Sequence, residues 1–142
     1  MRIFGHPLHP MLVHFPIALW TIATACDGLA LASVGAAWRV AWLALAIGTA
    51  AALPAAVAGL LDFARLSDEA APTGTRHMLL MGSAFCAYAA ALALRTSGWG
   101  PSPAPALAAT GLSALGFVLL IGGGHFGAAL VYRFGAGREE RQ

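Results

Sequence analysis

WRVAWLALAIGTAAALPAAVAGLLDF, residues 38–63, decides the architecture. Between Arg39 and Asp62 this stretch carries no ionisable side chain. A helix rising about 1.5 Å per residue crosses the roughly 30 Å of bilayer hydrocarbon within that length. Pro54, near its middle, lacks an N–H, which predicts a kink in a continuing helix; an open chain in lipid would leave its backbone polar groups without partners.

Three further apolar stretches flank this one. The expected helices are residues 11–33, 38–63, 75–94 and 106–131. The connecting segments ARLSDEAAPTGT (64–75) and RTSGWGPSPAPA (95–106) collect charge, Pro and Gly, as turns outside the hydrocarbon do. Thr75 is the expected cap of the third helix. In all, 59% of the 142 residues are hydrophobic, 10% are charged, and mean hydropathy is +0.75, too apolar for a water-soluble domain of this size. The reading is therefore all-α: a single integral membrane domain over residues 1–142, a four-helix up-down bundle whose partner is the lipid bilayer. The first apolar stretch contains His14, Pro16 and Asp27 and is longer than a signal core, so it is read as retained. The segment MRIFGHPLHP before it, with two prolines and a glycine, predicts a surface segment and no continuous helix.

The eight basic residues are all arginines and lie scattered, which excludes a nucleic-acid-binding patch. With four spans, Arg2, Arg65, Arg76, Arg133, Arg138 and Arg141 share one side and Arg39 and Arg95 the other. The positive-inside rule then makes both termini cytoplasmic in a bacterial inner membrane. Trp38, Trp42 and Trp99 are expected at the opposite interface. Asp27 lies toward that end, for pairing with Arg39 or Arg95. Cys26 and Cys86 lack ligand spacing and read as small buried hydrophobes.

Chemistry is expected at the arginine-rich side. His14, His77 and His125 each lie near the same end of a span, within roughly 10 Å of one interface. Imidazoles converging from three helices would suit a metal ion or a haem iron. Small residues near them, Gly59 and Gly122 among them, would let helices pass the faces of a porphyrin; equally, small residues tighten any membrane bundle. Asp62 is placed to orient a ligand imidazole or to pair with Arg65 or Arg76. His6 and His9 stand in an HxxH spacing on the same side, although the prolines deny it a helical face. Arg133 and Tyr132 end the last helix, as headgroup anchors or as partners of a haem propionate.

The run HPLHPMLVHFPIALW (6–20) resembles the bacterial membrane family catalogued as domain of unknown function 2231. GLLDF (59–63), Arg76-His77 and the glycine-rich run ending in LVYRFG (130–135) follow in that family's order, so the resemblance covers essentially the whole chain. A similarity of that family to small b-type cytochromes implies haem b, held by His14 and either His77 or His125 as axial ligands. Phe134 departs from the resemblance, which leads one to expect histidine there. The expected function is electron transfer to or from a quinone or a redox partner protein. The alternatives are a non-catalytic subunit that docks a larger complex, and a metal or proton pathway through His14, Asp62 and His77. The sequence leaves the oligomeric state open.

Overall fold

A computed structural model describes residues 2–3, 6–32, 35–102 and 106–137, without the side chains of 2, 3, 6 and 7. Four helices dominate it: α1 (Leu8–Leu31), α2 (Gly35–Phe63), α3 (Ala71–Arg95) and α4 (Leu107–Tyr132). Two-residue antiparallel pairs lie before α1, β1 (Arg2–Ile3) with β2 (His6–Pro7), and between α3 and α4, β3 (Thr96–Ser97) with β4 (Gly100–Pro101). All four helices are long and apolar enough to cross a membrane.

The first helix begins at Leu8, so it absorbs His9 and Pro10 from the segment expected to stay unwound. Pro10 is tolerated because the first turn's N–H groups have no intrahelical acceptors in any helix. The third helix likewise begins at Ala71, before the expected cap. Pro72 suits its first turn, and Thr75 is a helical residue whose hydroxyl donates to the Ala71 carbonyl (3.0 Å). Ser33, the expected end of the first helix, and the tail arginines Arg138 and Arg141 lie outside the described residues, as do the side chains of Arg2 and His6.

Helix α1 packs along α2, and α3 along α4; the two hairpins then meet through α1 against α4 and α2 against α3. Helices α1 and α3 sit on a diagonal and touch through long side chains. The interior is built from small residues: Ala41, Ala44, Gly48, Ala52, Ala55 and Ala58 face inward along α2. The large aliphatics of the same helix, among them Leu43, Ile47, Leu53 and Val57, face outward. In water this arrangement would be inside out. In lipid it is the expected one, since acyl chains solvate leucine as well as a core would and small residues let backbones approach. The Trp20 and Tyr88 rings stack in the centre, 4.7 Å apart and 18° from parallel.

At the end remote from the termini, Arg95 and Asp27 are fully buried and form a two-pronged ion pair (2.6 and 2.9 Å). Arg95 also donates to Ser113 Oγ (3.0 Å) and to the Ala91 carbonyl (3.2 Å), and its guanidinium lies over the Trp38 ring at 4.5 Å. Asp27 has therefore taken Arg95; Arg39 is exposed. Trp38 stands at this end as expected but is turned inward: it is buried, and its indole N–H donates to the Ser102 carbonyl (3.0 Å). Trp99, in the β3–β4 turn, is fully exposed.

Candidate functional site

At the other end of the bundle, His9 near the start of α1 and His77 in the second turn of α3 approach each other across the diagonal. Their ring centres are 6.3 Å apart and their planes cross at 84°. His9 Nδ1 lies 2.8 Å from the Ala55 carbonyl oxygen of α2, and His77 Nδ1 lies 2.8 Å from the Gly123 carbonyl oxygen of α4. A carbonyl only accepts, so each Nδ1 carries a proton, and a neutral imidazole held in this way keeps its lone pair on Nε2. That tautomer is the one a histidine presents when Nε2 binds a metal and the remaining ring N–H is held by a carbonyl.

A glycine makes room for each ring. In a helix the N–H of residue i+4 already bonds the carbonyl of residue i, so an imidazole reaching that carbonyl from the side lies against residue i+4. For Ala55 this residue is Gly59, and for Gly123 it is Gly127. A Cβ at Gly59 would lie 2.8 Å from His9 Cε1, and one at Gly127 would lie 3.0 Å from His77 Cε1. Neither position accepts a larger side chain without moving the imidazole.

The expected convergence of His14, His77 and His125 is not what the fold forms. His14 is exposed on the outer face of α1, with Nδ1 3.4 Å from the Met11 carbonyl of its own helix. His125 is exposed on α4, edge-on to Phe126. The inward positions of α1 are 9, 13, 16, 20, 23 and 27, which leaves His14 about 100° round the helix from Val13. Among the described residues no group of three or more His, Cys, Asp or Glu side chains can hold a metal ion, so a three-histidine centre is absent there. His9, expected from its flanking prolines to lie in a surface segment, is the partner His77 finds.

Of the glycines singled out, Gly59 lies against His9 as described, whereas Gly122 faces Leu80 and its neighbour Gly123 supplies the carbonyl. Gly127 is not among the expected site residues, although it stands four residues after Gly123 as Gly59 does after Ala55. Asp62 is half-buried, three residues beyond Gly59. Arg133 and Tyr132 are exposed at the end of α4, Arg133 lying over the Phe134 ring at 5.3 Å. Arg76 lies 5.8 Å over the Phe126 ring. His6 belongs to β2, so it shares no helical face with His9.

The profile of the family described as predicted membrane protein (DUF2231) matches residues 5–140, nearly the whole chain. Neither the curated proteins nor the solved structures contain a match.

Proposed function

The chain belongs to the DUF2231 family of predicted membrane proteins, and from that premise we propose that it is a small b-type haem protein of the bilayer, in which His9 and His77 would hold the haem, and that it would pass electrons to or from a quinone or a redox protein. The observation that carries the reading is the His9–His77 pair. Two nitrogens at about 2.0 Å from one centre, each with its ring centre roughly 1.1 Å behind it, would put the ring centres about 6.2 Å apart if both Nε2 aimed at that centre along one line. The observed spacing is 6.3 Å.

The donor set favours haem over a bare ion. Zinc takes three or four protein ligands, and the described residues offer no third at this pair. A macrocycle supplies four nitrogens itself and asks the protein for two. When bound, haem would supply one-electron chemistry between ferric and ferrous iron. The chain's own part is to fix both imidazoles through the Ala55 and Gly123 carbonyls, to present Nε2 in its unprotonated form, and to surround the pair with apolar helices that keep the local dielectric low. The pair lies at the end of the bundle that carries Arg65, Arg76 and Arg133, which on the positive-inside rule is the cytoplasmic face of a bacterial inner membrane.

The test is the absorption spectrum of detergent-solubilised protein after haem supplementation. A Soret band is expected in the parent protein and in His14→Ala and His125→Ala, and its loss or shift in His9→Ala and His77→Ala. A colourless protein in which His9→Ala and His77→Ala lower only thermal stability would defeat the reading. The two imidazoles would then be clasps between helices in a non-catalytic membrane subunit.

A further inference from the structure

Three of the contacts that join α1 to α3 obey one rule, which the Thr24–Tyr88 hydrogen bond (3.1 Å) and the Trp20–Phe85 ring contact do not share. Asp27 pairs with Arg95 at a separation of 68 residues, and the same separation relates Trp20 to Tyr88 and His9 to His77. The shift carries over to the other helices. It takes Gly48 onto Gly116: a Cβ at Gly48 would lie 3.1 Å from the Trp20 ring, and one at Gly116 would lie 2.9 Å from the ring of its counterpart Tyr88. It takes the Ala55 carbonyl onto that of Gly123, so that both histidine bonds span 46 residues. Ala23 and Ala91 are both wholly buried, as are Ala41 and Ala109.

We infer that the chain is two copies of one helical hairpin, residues 8–63 and 76–131, related by a two-fold axis running along the bundle between α1 and α3, and that the histidine pair is one site made of two equivalent half-sites. Each half-site is a histidine, a carbonyl 46 residues on, and a glycine four residues beyond the carbonyl. The repeats run in the same direction, as they do in membrane proteins whose internal axis lies along the membrane normal. That the half-sites are equivalent as ligands rests on the proposed haem reading; the repeat itself does not.

Residues related by a two-fold axis face each other, so a pair of identical hairpins would place position 27 against position 27, or 95 against 95. Two first hairpins would bury carboxylate against carboxylate, and two second hairpins guanidinium against guanidinium. Like charges packed together in a bilayer are strongly disfavoured. The Asp27–Arg95 difference therefore makes the first hairpin select the second and reject a copy of itself, so that each assembled site receives one histidine of each kind.

Charge exchange tests this. The full-length chain is purified in detergent as the parent, Asp27→Arg, Arg95→Asp, the Asp27→Arg/Arg95→Asp double variant, and the Trp20→Tyr/Tyr88→Trp exchange. The thermal midpoint is read by circular dichroism, separately from the Soret band. Each single charge variant should lose more than ~10 °C or fail to accumulate, and the double variant should return to within about 5 °C of the parent. A double variant no better than the singles overturns the repeat. If no charge variant accumulates, the aromatic exchange decides: a midpoint within about 5 °C of the parent supports equivalence, and a larger loss overturns it. Colourless protein that passes these exchanges defeats the haem reading and leaves the repeat; coloured protein that fails them does the reverse.

Discussion

At the scale of single residues, the site depends on two glycines as much as on two histidines. Gly59→Ala and Gly127→Ala should each push an imidazole off its carbonyl and weaken haem binding roughly 10- to 100-fold in a titration of apoprotein, the usual cost of disturbing the groups that orient a ligand. Unchanged affinity in both would show that the glycines do not position the rings. At the far end, Asp27→Ala leaves the buried Arg95 guanidinium without its carboxylate and should cost about 3–5 kcal/mol, read from detergent-unfolding curves. A loss under about 1 kcal/mol would mean that the ion pair contributes little to the fold. Much of this chemistry was legible in the sequence as residue type: the histidines, Asp27 with Arg95 as one candidate, Gly59. Which histidine turns inward was not. His9 stood beside prolines that read as helix breakers, yet Pro10 falls in the first turn, where a missing N–H breaks no bond.

At the scale of helices, size replaces polarity as the signal of facing. Four apolar stretches sufficed to read four spans, because length and the absence of charge are enough for that. Their inward faces stayed hidden for a physical reason: every face of such a helix is apolar, so a hydrophobic stripe does not distinguish lipid from core. In α2 the distinguishing feature is Ala and Gly inside against Leu, Ile and Val outside. The criterion does not carry over to α1 and α3, whose inward rhythms 9, 13, 16, 20 and 77, 81, 84, 88 are mostly large side chains that meet across the diagonal. It does sort the glycines. Gly48→Val and Gly116→Val should overpack the Trp20 and Tyr88 rings and destabilise by about 1–3 kcal/mol. Gly82→Ala and Gly124→Ala, with nothing within 4 Å of the added Cβ, should stabilise their helices by about 0.5–1 kcal/mol. Chemical unfolding in mixed micelles measures both sets, and equal effects across them would contradict the packing described.

At the scale of the whole molecule, two hairpins share an axis along which the contacts change character: imidazoles at one end, stacked aromatic rings in the centre, an ion pair at the other. The repeat is hidden in the sequence because few identities survive the 68-residue shift, and it shows only when contacts are compared. An even number of spans places the α2–α3 loop and the end of α4 on one side and the Trp99 turn on the other. Reporter fusions after Tyr132 and within residues 96–101 should therefore report opposite sides, with the former cytoplasmic; the same side for both would contradict four spans. The most direct test of the central proposal, that His9 and His77 would together hold a haem iron, is electron paramagnetic resonance of the ferric protein after haem supplementation. Imidazole planes crossed at 84° predict a low-spin signal of strongly axial type, converted to high spin in both His9→Ala and His77→Ala. A low-spin signal that survives in either His9→Ala or His77→Ala, or a high-spin signal in the parent, would contradict it.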